Sequence, residues 1–161
     1  MYPRRLLTIS LSAVLFAACN SGRADQRPVD EAVQDATQAT LPEHLCDLVP
    51  QADAEKIMGK ALVQRRNDDS GCHYEDARGT TGTSLWVFLN ALHVSDQCRL
   101  TPGSEPLSGV GDEACIAPEG LYAHIVFGGG GRTFEVIAPG GHKDPKLATA
   151  VAKVMLSRLA S

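Results

Sequence analysis

The sequence predicts an α+β fold, a mostly antiparallel sheet with a short N-terminal helix and a longer C-terminal helix packed on it. Three observations lead there. Residues 122–127 and 133–138 are β-rich runs flanking Gly128-Gly129-Gly130-Gly131-Arg132, a hairpin signal with a long, permissive turn. Residues 83–92 hold Leu85, Trp86, Val87, Phe88 and Leu89 in succession, the strongest strand signal in the chain. Leu147, Val151, Met155 and Leu159 recur at steps of four with Val154 beside them, which gives a helix one apolar face to lay on the sheet.

The folded domain is expected to span residues 42–161. A short helix over 50–58 has Pro50 in its first turn and Gly59 as its stop, with Ala52, Ile57 and Met58 as the buried side. A short strand over 61–65 and another over 72–75 flank the turn cluster Asn67-Asp68-Asp69-Ser70-Gly71. Arg78-Gly79-Thr80-Thr81-Gly82 is a second turn. The nearly continuous apolar run in 83–92 predicts a central strand covered on both faces, with Trp86 in the core. Residues 101–111 form a loop punctuated by prolines and glycines, and a strand starts at Ala114. Pro139-Gly140-Gly141 ends the last strand. Asp144 is the expected cap of the terminal helix and Pro145 its first residue.

The chain has 161 residues, enough for one domain. Asp and Glu total 19 against 15 Lys and Arg, a net charge of −4, which argues against a nucleic-acid partner. Aromatic residues make up only 5% of the sequence, so a domain of this size would gain from covalent bracing.

Residues 1–18 read as an export signal. Arg4 and Arg5 precede an apolar stretch over 6–16 that is broken only by small hydroxyl residues. It is shorter than the roughly 20 residues of a membrane span. Ala17 and Ala18 then lead into Cys19, an order that resembles the bacterial lipobox. The resemblance implies that Cys19 carries diacylglycerol and becomes the mature N-terminus, with the lipid bilayer as a partner. Asn20 rather than an aspartate after the cysteine points to the outer membrane, facing the periplasm, in a two-membrane cell. Residues 19–41 lack aromatic residues and read as a flexible tether, with a short helix around 28–38 as the competing reading.

Setting Cys19 aside leaves Cys46, Cys72, Cys98 and Cys115, an even number in an exported chain. More than one connectivity is open to four cysteines. The shorter loops favour Cys46 with Cys72 and Cys98 with Cys115. A metal site built from His44, Cys46, Cys72 and His73 is the alternative, but the spacing departs from zinc ribbons and fingers, and disulfides would remove the thiolates. No metal and no cofactor are expected.

Other groups carry less. Gly128–Gly131 lacks the Gly-Lys-Ser/Thr opening of a helix that a phosphate loop needs. Asp112 and Glu113 beside Gly109 and Gly111 fit a turn entering a strand better than a calcium site or a glycosidase pair. His44, His73, His93, His124 and His142 are scattered, and Ser84, Ser95 and Ser108 lack a Gly-x-Ser-x-Gly context. His124 alternates with Ala123 and Ile125 and reads as a satisfied sheet residue. No catalytic residue is assigned.

Cys46-Asp47-Leu48, a helix ending Ile57-Met58-Gly59, Cys72-His73-Tyr74, and Gly109-Val110-Gly111-Asp112-Glu113-Ala114 follow one another before the hairpin and final helix. This order resembles a broad group of small bacterial envelope lipoproteins over residues 43–160. The group carries no established catalytic residues, so the resemblance transfers none. The expectation is a membrane-anchored, non-enzymatic binding or interaction module facing an envelope or secreted protein partner, with an immunity-type inhibitor as one concrete form. The Gly-rich hairpin tip and the 101–111 loop are the natural contacts. The alternative is an envelope hydrolase acting on cell-wall or lipid substrates, using Asp112 or Glu113 with a histidine.

Overall fold

A computed structural model describes residues 40–80 and 82–160. The signal segment, Cys19 and nearly all of the tether lie outside the described residues. A 3₁₀ turn, Leu45–Leu48, leads into helix α1, Gln51–Met58. Strands β1 (Leu62–Asn67), β2 (Gly71–Asp76) and β3 (Leu85–Asn90) follow, then helix α2 (Val94–Leu100). After the two-residue β4 (Glu105–Pro106) come β5 (Ala114–Glu119), β6 (Tyr122–Gly129) and β7 (Arg132–Pro139), and helix α3 (Lys146–Leu159) closes the domain. The strands form one sheet in the order β1-β2-β3-β7-β6-β5-β4, and every pairing is antiparallel. The α+β class and the placement of the first and last helices agree with the sequence reading.

Pro50 starts α1 because its carbonyl accepts the amides of Asp53 and Ala54. Gly59 ends it in the left-handed region at φ +66°, where a side chain is disfavoured. Ala54 and Met58, four residues apart, face the core, and Ala52 is exposed, which corrects the expected buried side. In α3 the buried stripe is Ala148, Val151, Ala152 and Met155, with Leu147, Val154 and Leu159 flanking it. The two alanines let the helix approach β6 and β7 closely. Asp144 does not cap this helix. Pro145 takes the cap position, and its carbonyl accepts the amide of Thr149 at 2.8 Å.

The β6–β7 turn is tighter than expected. Strand β6 runs on through Gly128 and Gly129 and β7 starts at Arg132, leaving Gly130 and Gly131 as a two-residue turn with φ of +58° and +71°. Gly129 belongs to the strand, and a Cβ there would run into the Leu156 side chain of α3. Gly109 to Glu113 form the expected turn into β5, with Val110 buried between two positive-φ glycines.

Cys46 bonds Cys72 and Cys98 bonds Cys115, the pairing favoured by loop length. The first bridge ties the 3₁₀ turn to β2 inside the main core, which also holds Tyr74, Leu85, Val87, Phe127, Phe134 and Met155. The Tyr74 hydroxyl donates to the Val49 carbonyl at 3.1 Å and fastens the same segment from within. The second bridge ties α2 to β5 on the opposite side of the sheet, where Val94, Cys98, Cys115 and Val126 form a small separate cluster. Helix α2 had no reading in the sequence. Its apolar residues are Val94, Cys98 and the exposed Leu100, of which only Val94 and Cys98, four residues apart, face the sheet, and no side chain caps its start.

The sheet edges are guarded. β4 is short and contains Pro106, while β1 carries Arg65 and Arg66 and an irregular register between Gln64 and Arg66.

Candidate functional site

Directly paired residues of antiparallel strands share a face. On the helix side, Leu85, Val87, Val136, Ile125 and Phe127 are buried. On the other side, His73 of β2 pairs with Trp86 of β3, Trp86 with Ile137 of β7, and Ile137 with His124 of β6. The next row on this side is Phe88, Glu135, Val126 and Cys115. Helix α2 covers only the Val126–Cys115 end. Trp86, Phe88, Ile137 and Tyr122 therefore stay half-buried. This corrects the expectation for β3, which is third in the sheet but covered by helices on one face only, with Trp86 outside the core.

The aromatic rings are ordered by their neighbours. The His73 imidazole lies against the Trp86 indole with centroids 3.3 Å apart and planes within 8°. Trp86 and Phe88, two residues apart on one strand, lie 5.9 Å apart and within 14° of parallel. His73 is only 5% exposed. Burial pulls its pKa below the ordinary histidine value. Glu75 opposes this and Arg65 reinforces it, so the neutral ring is favoured beneath the indole. The Glu75 carboxylate stands 3.8 Å from Nε2, too far for a hydrogen bond, and Nε2 has no hydrogen-bond partner among the described residues.

Beside the rings runs a polar chain. The Asn90 amide donates to Glu135 Oε1. Glu135 Oε2 lies 3.1 Å from His124 Nε2, and His124 Nδ1 lies 2.7 Å from Glu119 Oε2. Burial alone would lower the His124 pKa, but the hydrogen bonds and charges of Glu135 and Glu119 outweigh it and raise it. The same imidazole, helped by Asn90 and opposed by burial, holds Glu135 below the ordinary carboxylate range. When protonated, the ring donates from both nitrogens and clamps β5, β6 and β7 together. His124 is thus a satisfied sheet residue, as its alternation indicated.

Between rings and chain lies a shallow cleft of about 320 Å³ lined by Trp86, Phe88, Glu119, Tyr122 and Ile137. Its walls are aromatic and aliphatic, and its one charged group is a carboxylate.

Of the residues singled out in the sequence, the four domain cysteines are consumed by disulfides, so Cys46 and Cys72 offer no thiolate to a metal. Among the described residues, no group of three or more His, Cys, Asp or Glu side chains is placed to hold a metal ion. No helix among them is long and apolar enough to cross a membrane. Asp112 and Glu113 do meet a histidine: with His93, Ser95 and Arg132 they line a cavity of about 220 Å³ near the hairpin end. Both acids are exposed, and neither hydrogen-bonds to His93.

The sequence reading missed Glu119, Tyr122, Glu135 and Asn90 as parts of one surface. The available signal was Glu135, a charged residue in the middle of the apolar run Phe134 to Ala138. No family model, curated protein or solved structure matches this chain.

Proposed function

We propose that this protein is a bacterial envelope lipoprotein, anchored to the bilayer through acylated Cys19, that works as a non-enzymatic binding module for an envelope or secreted protein. An inhibitor or immunity-type role is the most concrete form of this reading. The open sheet face carries it. Clustered apolar side chains left partly open to solvent mark interaction sites, and here Trp86, Phe88, Tyr122 and Ile137 stand together, half-buried, on a sheet braced by two disulfides. This face replaces the Gly-rich tip and the 101–111 loop as the favoured contact. The tip is a closed two-residue turn, and the loop buries Val110.

The test uses the full chain in a bacterial host. Mass spectrometry of the processed N-terminus is expected to find Cys19 acylated. Crosslinking in envelopes is expected to capture a specific protein with the native chain and to lose it with Phe88→Asp, provided that variant keeps its melting temperature. An unacylated, water-soluble product overturns the anchoring, and capture that ignores Phe88→Asp overturns the assignment of the face.

The second reading, a hydrolase of cell-wall or lipid substrates, is favoured by one observation, the cavity that gathers Asp112, Glu113 and His93. Turnover of peptidoglycan or lipid esters that falls in Asp112→Asn and Glu113→Gln would support it over the binding module.

A further inference from the structure

We infer that the cleft walled by Trp86 and Tyr122 receives a positively charged side chain, arginine or lysine, from the protein partner. This rests on the binding-module reading above and names the chemistry of its occupant. Three of the five lining residues are aromatic, one is Ile137, and the last is Glu119; among the described residues no basic side chain lines the cleft. Aromatic faces carry negative potential and attract cations, arginine above all because its flat guanidinium also stacks. The His73 stack occupies one face of the indole and holds the ring in place, so the wall is ordered before a ligand arrives.

The charge on the rim points the same way. Glu119 gives one oxygen to His124, yet its side chain remains 45% exposed beside the rings. Glu135 lies behind it in the same chain of hydrogen bonds. Glu119 and Glu135 set two carboxylates against the one positive charge that His124 can carry, so an acidic partner would face net negative charge, whereas a basic one gains a charge-assisted contact. Leu121, next to Tyr122 at the β5–β6 turn, is 83% exposed. It gives a peptide an apolar contact flanking the cationic one, which a lone small amine would not use.

Trp86 is the single tryptophan of the chain and is itself a wall of the cleft, so its fluorescence reports occupancy directly. The probe is an octa-arginine peptide titrated into the oxidised full-length chain at physiological salt. Octa-glutamate and a chitin hexasaccharide are the comparators. A saturable change with octa-arginine alone is expected. Glu119→Gln and Phe88→Ala are each expected to weaken it about tenfold, the scale of one desolvated cation contact. Asp47→Asn removes the same charge from the exposed side of the 3₁₀ turn, on the helix side of the sheet, and is expected to change affinity less than about twofold, as screening predicts for a charge on the opposite face.

An equal loss in Asp47→Asn would show general attraction and overturn the inference, as would no saturable response or a response to the sugar alone. If the peptide fails while partner capture still depends on Phe88, the cation assignment falls and the binding module stands. If capture is indifferent to Phe88, the reading of the face falls with it.

Discussion

Replacing Gly111 with alanine should destabilise the domain far more than the same change at Gly109, two residues earlier in the same turn. Both glycines have positive φ, +60° and +79°, so each alanine bears a backbone penalty of about 1 kcal/mol. Their surroundings differ. A Cβ at Gly109 meets nothing within 4 Å, while one at Gly111 would land on the Gly128 carbonyl oxygen. That oxygen accepts the Asp112 amide at 3.2 Å, and the Gly128 amide donates to the Glu113 carbonyl at 2.8 Å. The oxygen is backbone and the Cβ has its position fixed by the backbone, so no side-chain rotation relieves the collision. Separating the strands weakens two hydrogen bonds worth about 1 kcal/mol each. The expected loss is about 3 kcal/mol for Gly111→Ala and about 1 kcal/mol for Gly109→Ala. Urea unfolding of the oxidised proteins measures both, and the larger loss corresponds to a fall in Tm of roughly 12 °C. If the two variants agreed within about 0.5 kcal/mol, the ordinary scatter of surface substitutions, the close approach would not be what the second glycine serves. The Gly-Val-Gly-Asp-Glu-Ala segment would then need another explanation.

Replacing Cys98 and Cys115 together with serine should cost about 3 kcal/mol on the loop-entropy scale for a separation of 17 residues. Amide exchange should then speed up over α2 while α3 stays protected, and uniform acceleration would show that α2 is integral to the main core. His124 has its pKa raised above the ordinary 6.5, so its contribution to stability is complete below that value and is lost as pH rises through the folded value. Glu135, lowered from 4.5, adds stability above that value and loses it as pH falls. The stability difference between the native chain and His124→Gln should therefore shrink as pH rises from about 5 to 8; a constant difference would refute the ionic clamp. Trp86→Ala should cost only about 1–2 kcal/mol because the ring is not fully buried, against 3–5 for a core aromatic residue, and a core-sized loss in chemical denaturation would return Trp86 to the interior.

Much of the fold was legible because local chemistry decided it. Pro50 and Gly59 bracket α1 through backbone geometry that needs no distant partner. The two runs around the glycine cluster pair as neighbours in the chain, so their antiparallel pairing needed no long-range information. The bridges follow the same logic, each joining the cysteines closest in sequence. Where the reading erred, it erred by a residue or by a face. Asp144 stands one position outside the cap, Ala52 points to solvent where Ala54 points inward, and the glycine run is half strand because α3 presses Leu156 against Gly129. Of the candidate site, only His124 was read correctly, from its alternation in β6. Its two carboxylate partners come from β5 and β7 and were not visible along one strand.

The amino-acid sequence by itself determined the α+β class, the ends of α1, the hairpin and the amphipathic face of α3, since each rests on residues within a few positions of one another. The tertiary structure alone decided which side of β3 is covered. Leu85, Trp86, Val87 and Phe88 are apolar on both faces, so their pattern asks for cover without saying where it comes from. That depends on how far a helix reaches. α3, with 14 residues, lies across the inner face, whereas α2, with seven, reaches only Val126 and Cys115 on the outer one. The aromatic cleft is the part of the sheet that no helix among the described residues reaches.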